Sequence, residues 1–495
     1  MFWKNFPDNN VIGSMKRILP AKLEWISCKM QIDKCSIEDN MQANQKISKD
    51  KGVRQRNLSG AFFDMPDFQE VCMGRKFDDL SLEEKIAHFD DVAARALPLW
   101  GYPEGADKKL LNFTENATYL VKAAGKETMI MRVHRLDYAT MNSIRTELCW
   151  LTDLKRDTDI SLASPIPMEN GELVATIETP ALEEKRHVVC FSFAKGKAPV
   201  DSSDGNGDVG DLIAKIEKIP DSITIPTFRV ASVLTDFIGG MKSSSALTDE
   251  DRAMYRMVGE IMAKIHRQSR QWKRPDYFER MEWGFDGTFG AWNNFYGATY
   301  ADPKWLSQKD IGVLDQAKEL IRRRLALYGE RPDRYGMIHS DLRTANLLKD
   351  GDTITVLDFD DCGMGWYMYD VAGAVALMEH RADLQDIVEE ILKGYEAIRS
   401  LSEEDKAEIP TFIMMRRIGM LQSLLFRIGC VVGGSGEAAE LTPEILAFYA
   451  EGTVILARRY MEEMGGPKLG FTGKASVAVQ TKQQMKHSLK KPYVI

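Results

Sequence analysis

The sequence predicts an α+β protein in two unequal parts, a small antiparallel β-sheet lobe with one helix and a larger, mainly helical lobe. Three observations carry this reading. Ala117–Val121 and Thr128–Val133 are β-branched and apolar runs separated by a turn at Gly125. From Thr248 the chain turns helical, with Met254, Met257, Val258, Ile261, Met262 and Ile265 on one apolar stripe. Further on, Leu347-Leu348 and Thr353–Leu357 flank the charged turn Lys349–Asp352 and read as a second hairpin set among helices.

Taken in order, residues 1–85 form an N-terminal extension, without a sustained period to about residue 80 and disordered in part, as its polar block Asp39–Arg56 suggests. Ser81 supplies an N-cap and Glu83-Glu84 an acidic first turn, so a helix runs toward Leu97 and stops at Pro98. The small lobe spans 86–195. After its hairpin, Ile144, Leu148, Leu151 and Leu154 mark a helix over Met141–Leu154, and Leu173–Ile177 and His187–Phe193 read as strands. Ala194–Pro199 breaks structure and opens the larger lobe, 196–473, through an insertion at about 197–247 to which no chemistry attaches. Helices are expected over Asp310–Tyr328, Ala382–Ile398, Ile409–Ile428 and Pro443–Met464. Beyond Gly465-Gly466-Pro467 the chain is polar and basic, and 474–495 read as a flexible tail.

Composition narrows the function classes. With 495 residues, 44% hydrophobic and 28% charged, the chain is an ordinary soluble globular sequence. A formal charge of −8 argues against a general nucleic-acid binder, while leaving room for a local basic cleft. No apolar run reaches the length of a membrane span, so a cytoplasmic setting follows by default. The seven cysteines contain no C-x-x-C pair, and neither a zinc site nor a disulfide framework is indicated.

The stretch His339–Asp361, HSDLRTANLLKDGDTITVLDFDD, carries the chemistry. Asn346 follows Asp341 by five positions within one loop, and the hairpin delivers Asp358 beside that loop. Phosphoryl transfer needs a carboxylate to orient or deprotonate the attacking hydroxyl and hard oxygen ligands for Mg²⁺. Asp341, Asn346 and Asp358 supply those groups. Each is an ordinary turn residue taken singly; an H-x-D-x-x-x-x-N element, a hairpin and a D-F-D end in this order are not.

A β-rich lobe, a hinge and a helical lobe holding these motifs resemble the aminoglycoside phosphotransferase and choline kinase superfamily, nearest to type II homoserine kinases and stress-response kinases. The resemblance spans roughly residues 86–465 without the insertion, through Glu115–Tyr119, Arg132–Arg135, Arg145–Trp150 and Ile338–Asp361. It implies a bilobed protein-kinase-like fold and an ATP- and Mg²⁺-dependent kinase acting on a hydroxyl of a small metabolite. By this resemblance Asp341 is the catalytic base or orienter, and Asn346 and Asp358 ligate Mg²⁺. Asp360 or Asp361 assists from behind, Asp370 braces the catalytic loop, and His339 fixes that loop by hydrogen bonding, with a general-base role as its alternative. Arg132 stands where the family places a phosphate-contacting lysine, paired with Glu147; a guanidinium there is a departure. Without a G-x-G-x-x-G, a loop such as Phe113–Asn116 covers the phosphates, and adenine rests against the hinge at Cys190, Phe191 and Phe193, residues a buried strand would also explain.

The acceptor is not chosen by these motifs. Trp272, Trp283, Asp286, Trp292, Trp366 and Tyr369 are candidate pocket walls, where aromatic faces could hold a cationic amine. Arg343, two residues after the base, could meet a substrate carboxylate or an emerging phosphate. Two rival readings remain. One is a Ser/Thr protein kinase, weakened by the lack of a D-F-G and A-P-E pair. The other is a nucleotide-binding pseudokinase or regulatory module, motivated by Arg132, the extension and the insertion.

Overall fold

In the computed structural model the described residues are 76–465, apart from 114–115, 137–138, 198, 200–246, 291–299, 302–304, 380, 382 and 428–442. All belong to the second of two compact units, Phe68–Ile495. Most of the expected extension, the body of the insertion and the tail therefore lie outside the described residues.

Ser81 opens helix α1 (Leu82–Ala96) through a reciprocal cap: its hydroxyl accepts from the Glu84 N–H, and the Glu84 carboxylate accepts from the Ser81 N–H. Strands β1 (Asp107–Phe113), β2 (Ala117–Lys122) and β3 (Met129–Val133) follow. Gly125, at a φ of +72°, makes the β2–β3 turn that the sequence predicts. Helix α2 (Met141–Asp157), capped by Thr140, precedes the short strands β4 (Ser161–Leu162) and β5 (Pro165–Ile166), then β6 (Ala175–Thr179) and β7 (Glu184–Ser192). The antiparallel sheet runs β1-β2-β3-β7-β5, with β6 also on β7. Its two faces do different work, as strand alternation requires. One face packs Met129, Met131, Val133, Val188 and Cys190 against Phe89, Val92 and Ala93 of α1. The other carries Arg132, Val189 and Phe191 toward the interior.

The larger lobe contains α3 (Asp249–Ser269), β8 (Met281–Glu282), α4 (Phe285–Phe289), α5 (Gln308–Tyr328), β9 (Tyr335–Ile338), β10 (Leu347–Asp350), β11 (Thr353–Val356), β12 (Gly363–Trp366), α6 (Tyr369–Ala374), α7 (Leu384–Ile398), α8 (Glu403–Arg427) and α9 (Pro443–Met464). The apolar stripe of α3 buries Met254, Val258, Ile261, Met262 and Ile265 in the main core. Helices α3 and α7 lie unusually close, because Gly259 faces the Ile391 carbonyl and Gly394 the Arg256 carbonyl, where a Cβ would overlap. Helix α8 begins six residues before the expected Ile409. Ser402 and Asp405 cap it reciprocally at 3.0 and 3.1 Å, so Pro410 falls inside the helix instead of at its start.

Two small sheets position the loop between the lobes. The β10–β11 hairpin pairs in the expected register, Leu347 with Val356, and β11 takes β4 as a parallel neighbour, with Ser161 and Thr355 hydroxyls 2.8 Å apart. Strand β12 lies between β8 and β9 and brings the chain after Asp361 back against the approach to His339. Among the described residues, no helix is long and apolar enough to cross a membrane.

Candidate active site

The loop leaving β9 is built on a buried carboxylate. Asp370, at the start of α6, accepts the backbone N–H of His339 at 3.1 Å and of Ser340 at 2.6 Å. Those bonds hold Ser340 at a φ of +69°, in the left-handed region a side chain rarely adopts. The Ser340 hydroxyl donates to the Asp361 carbonyl at 2.8 Å, joining the loop to the D-F-D end. Gly373 keeps α6 against this turn, since a Cβ there would lie 2.6 Å from the Ser340 carbonyl.

His339 is fully buried, and its partners fix its tautomer. Nε2 lies 2.9 Å from the Leu357 carbonyl, which can only accept, so Nε2 carries the proton. Nδ1 is then the acceptor for the Asp341 N–H at 3.3 Å. The imidazole thus spans the loop and the hairpin, the bracing role expected of it, and packs at a tilt against Phe359 with centroids 4.5 Å apart.

Asp341 is 4% exposed and wrapped by donors. Oδ1 accepts Arg343 Nε at 2.9 Å and Arg416 Nη2 at 2.7 Å; Oδ2 accepts Asn346 Nδ2 at 2.8 Å and Arg343 Nη2 at 3.2 Å. Asn346 spends its amide nitrogen on this carboxylate and on the Asp341 carbonyl, which turns its amide oxygen the other way. The Asn346 carbonyl accepts the Leu357 N–H at 2.9 Å, so Asp358 is the next residue beside it. Asp358 also has a left-handed backbone, at a φ of +58°.

This donor set can be tested against a metal. Among the described residues no three His, Cys, Asp or Glu side chains converge on one point. One carboxylate and one amide oxygen are hard ligands that leave most of an octahedral shell for phosphate oxygens and water, the usual manner of binding Mg²⁺. The residues fit a metal that arrives with a nucleotide.

Across the cleft, Arg132 on β3 donates from Nη2 to both Glu147 oxygens, at 2.7 and 2.8 Å, and directs Nη1 at Asp360 Oδ1 over 3.6 Å. All three are buried. Burial alone would weaken the guanidinium, but the two carboxylates hold it charged. Burial raises Glu147, against the pull of Arg132. Burial also pushes Asp360 upward, yet Arg132, His134, Arg280 and the Asn116 amide keep it below the usual carboxylate value. Asn116 donates to Asp360 at 2.7 Å and accepts the Arg135 N–H at 3.1 Å, so it joins the start of β2 to both β3 and the D-F-D end.

The hinge residues separate. Phe191 lies beneath Arg132, with the guanidinium 5.0 Å from its ring centre. Cys190, one residue before it, points to the opposite face and belongs to the core under α1, a correction that follows from strand alternation. Both residues also pair with β3 and β5, which commits their backbone to the sheet. Phe193 follows the end of β7 and is 45% exposed. Thr114 and Glu115, expected to cover the phosphates, lie outside the described residues.

Among the expected pocket walls, Trp283 and Tyr369 stand at the site. Their rings stack 6.1 Å apart, and Trp283 Nε1 donates to the Asp361 carbonyl. Trp272 and Trp366 are packing residues that donate to Asp153 and the Gly329 carbonyl. Asp286 is exposed on α4, and Trp292 lies outside the described residues. Arg343 faces Asp341 itself. Three contributors were not anticipated: Arg416 from α8, His266 from α3, and Arg280, which donates to the Cys362 carbonyl at 2.6 Å, to the Ser143 carbonyl, and closely to the Asp360 carbonyl.

The model of the phosphotransferase enzyme family matches residues 228–404. A solved structure of a microcompartment-associated aminopropanol kinase superposes with a TM-score of 0.58 at 32% identity, covering 76% of this chain and 98% of that one. Amicoumacin kinase of Bacillus subtilis (strain 168) is 23% identical over 348 residues, 68% of this chain and 84% of that protein. Homoserine kinase of Neisseria meningitidis serogroup B (strain ATCC BAA-335 / MC58) is 37% identical over 112 residues, 21% of this chain and 35% of that protein.

Proposed function

We propose that this chain, which belongs to the phosphotransferase enzyme family, transfers the terminal phosphoryl group of ATP, bound with Mg²⁺, to a hydroxyl of a small metabolite such as an amino acid or amino alcohol. The observation that carries this reading is the Asp341–Asn346 pair, locked at 2.8 Å beside Asp358 on a loop whose backbone Asp370 and His339 hold rigid.

The chain's own residues divide the work. Asp341 receives and orients the acceptor hydroxyl and takes its proton as the oxygen–phosphorus bond forms. Asn346 Oδ1 and the Asp358 carboxylate are the protein ligands for the metal. ATP and Mg²⁺ supply the transferred group and neutralise its charge. Arg132, tethered by Glu147, contacts phosphate oxygens, and Phe191 forms the floor beneath it. Most of the rate comes from positioning and electrostatics.

The test is Asp341→Asn. Loss of an oriented base should lower kcat by about 10²- to 10⁴-fold while ATP binding stays measurable. Turnover at the wild-type rate would sink the assignment. Asp358→Ala should instead abolish the Mg²⁺-dependence of nucleotide binding, read by calorimetry with and without the metal. Label from ATP should appear in a metabolite pool; label on protein would favour the protein-kinase reading.

A further inference from the structure

We propose that the acceptor carries a carboxylate next to its hydroxyl, and that Arg343, assisted by Arg416, takes that carboxylate when the hydroxyl reaches Asp341; this rests on the kinase reading above.

Among the described residues the Asp341 carboxylate accepts four hydrogen bonds, two on each oxygen, and three come from guanidinium groups. An acceptor hydroxyl needs one of those lone-pair directions, so a donor must leave. Asn346 is tied to the loop backbone as well as to the carboxylate, which makes it the hardest donor to move. The longest of the four bonds is Arg343 Nη2 to Oδ2, at 3.2 Å.

Moving Arg343 creates a second demand. Asp341 is the only carboxylate paired with Arg343 among the described residues, and its Nη1 is buried there with no hydrogen-bond partner. The residue is 6% exposed, so a guanidinium drawn off Asp341 stays out of water. A buried charge left without a partner is strongly unfavourable. An amino alcohol would bring an ammonium, a like charge, and a neutral polyol offers nothing to offset this. A carboxylate does, because it can accept the unused Nη1 and the released Nη2 together in the fork geometry that arginine favours. Arg416 approaches the same Oδ1 from α8, with Tyr369 at 3.5 Å, and places a second guanidinium on that side.

The class that satisfies both demands is a hydroxy acid or hydroxy amino acid. The reaction breaks the bond between the terminal phosphorus and the ADP oxygen and forms one to the acceptor oxygen. The hydroxyl proton passes to Asp341. The carboxylate stays unreacted, as the anchor.

The experiment compares matched acceptors with ATP·Mg²⁺ by ADP release: serine against ethanolamine, homoserine against its decarboxylated amino alcohol, and glycerate against glycerol. A carboxylate acceptor should exceed its partner in kcat/KM by about 100-fold, the equivalent of one lost charge-assisted contact pair. Arg343→Gln should raise KM for that acceptor by about 10- to 100-fold and change kcat and the ATP KM much less, because Arg416 and Asn346 still hold Asp341. Arg343→Lys should recover part of the loss, and thermal melting with a nonhydrolysable ATP analogue checks that both variants fold. The inference is overturned by equal or better turnover of the amine or polyol partners. It is equally overturned by a panel without any carboxylate turnover, or by an Arg343→Gln loss confined to kcat and common to all acceptors, which would place the guanidinium on the transferred phosphoryl group. Failure of the wild type to bind ATP·Mg²⁺ would instead remove the kinase reading itself.

Discussion

His266 and Asp370, 104 positions apart in sequence, meet at 2.9 Å with neither side chain exposed. The other ring nitrogen of His266 lies 3.0 Å from the Tyr395 hydroxyl, so α3 and α7 together orient the carboxylate that holds the His339–Ser340 backbone. Burial lowers the His266 pKa, although Asp370 pulls it upward. His266→Ala should cost about 2–4 kcal/mol in urea unfolding, from a cavity and an under-partnered buried carboxylate. It should also lower kcat with little change in the ATP KM. His266→Gln, whose amide nitrogen can replace Nε2, should recover a measurable part of both.

Asn116→Ala removes the bond that ties the start of β2 to Asp360. On the proposed reading, the segment that covers the phosphates then loses its anchor to the end of the loop that would hold the metal. An increase of about 10- to 100-fold in the ATP KM is expected, the size of one hydrogen bond to a charged group. Steady-state kinetics at saturating acceptor would show it; an unchanged KM would mean that the clasp serves folding alone.

Arg132→Met leaves Glu147 and Asp360 buried beside an apolar side chain. About 3–5 kcal/mol of stability should be lost, and nucleotide binding with it. The double variant Arg132→Met, Glu147→Gln should lose less than the sum of the single changes, because the two groups act as a pair. Equilibrium denaturation of the four proteins in that cycle measures the coupling.

Acid should unfold the protein through histidines buried in neutral form. Burial, aided by Arg186, lowers His88 to about 3, and burial with Arg132 lowers His134 to about 3. In the unfolded chain each takes a proton near pH 6.5, whereas the folded form stays neutral. Stability is therefore complete above that pH and falls as pH drops toward 3, by about 1.4 kcal/mol per pH unit for each group. The Arg186 Nε–H donates to His88 Nε2 at 3.2 Å, so His88→Gln keeps an acceptor there while removing a titrating group. Its denaturation free energy should fall less steeply between pH 6 and pH 5 than that of the wild type.

The site was legible in the sequence where its parts are neighbours in the chain. His339, Asp341, Asn346 and Asp358 lie within one loop and hairpin, and turn chemistry with strand pairing brings them together. Phe191 and Cys190 show the limit of that reading. Both lie in a recognisable strand, but which one faces the cleft depends on which side α1 covers, a tertiary fact. Arg416 reaches Asp341 across 75 positions from a helix whose beginning the apolar pattern placed six residues late. His266 sat within a stripe of methionines and isoleucines that reads as core. Its signal was a lone imidazole on an apolar face of α3 with Asp370 still needing a brace.

Ser340 and Asp358 both hold left-handed backbones without being glycine. Each conformation costs about 1–2 kcal/mol for a residue with a Cβ. Glycine at 358 would relax the chain while deleting the proposed metal ligand, whereas glycine at 340 would forfeit the hydroxyl's bond to the Asp361 carbonyl. Variants selected only for heat resistance should thus drift toward glycine at position 358 and become sturdier as they stop working. In a population under weak demand for its product, the same drift offers a short path from enzyme to inert relative.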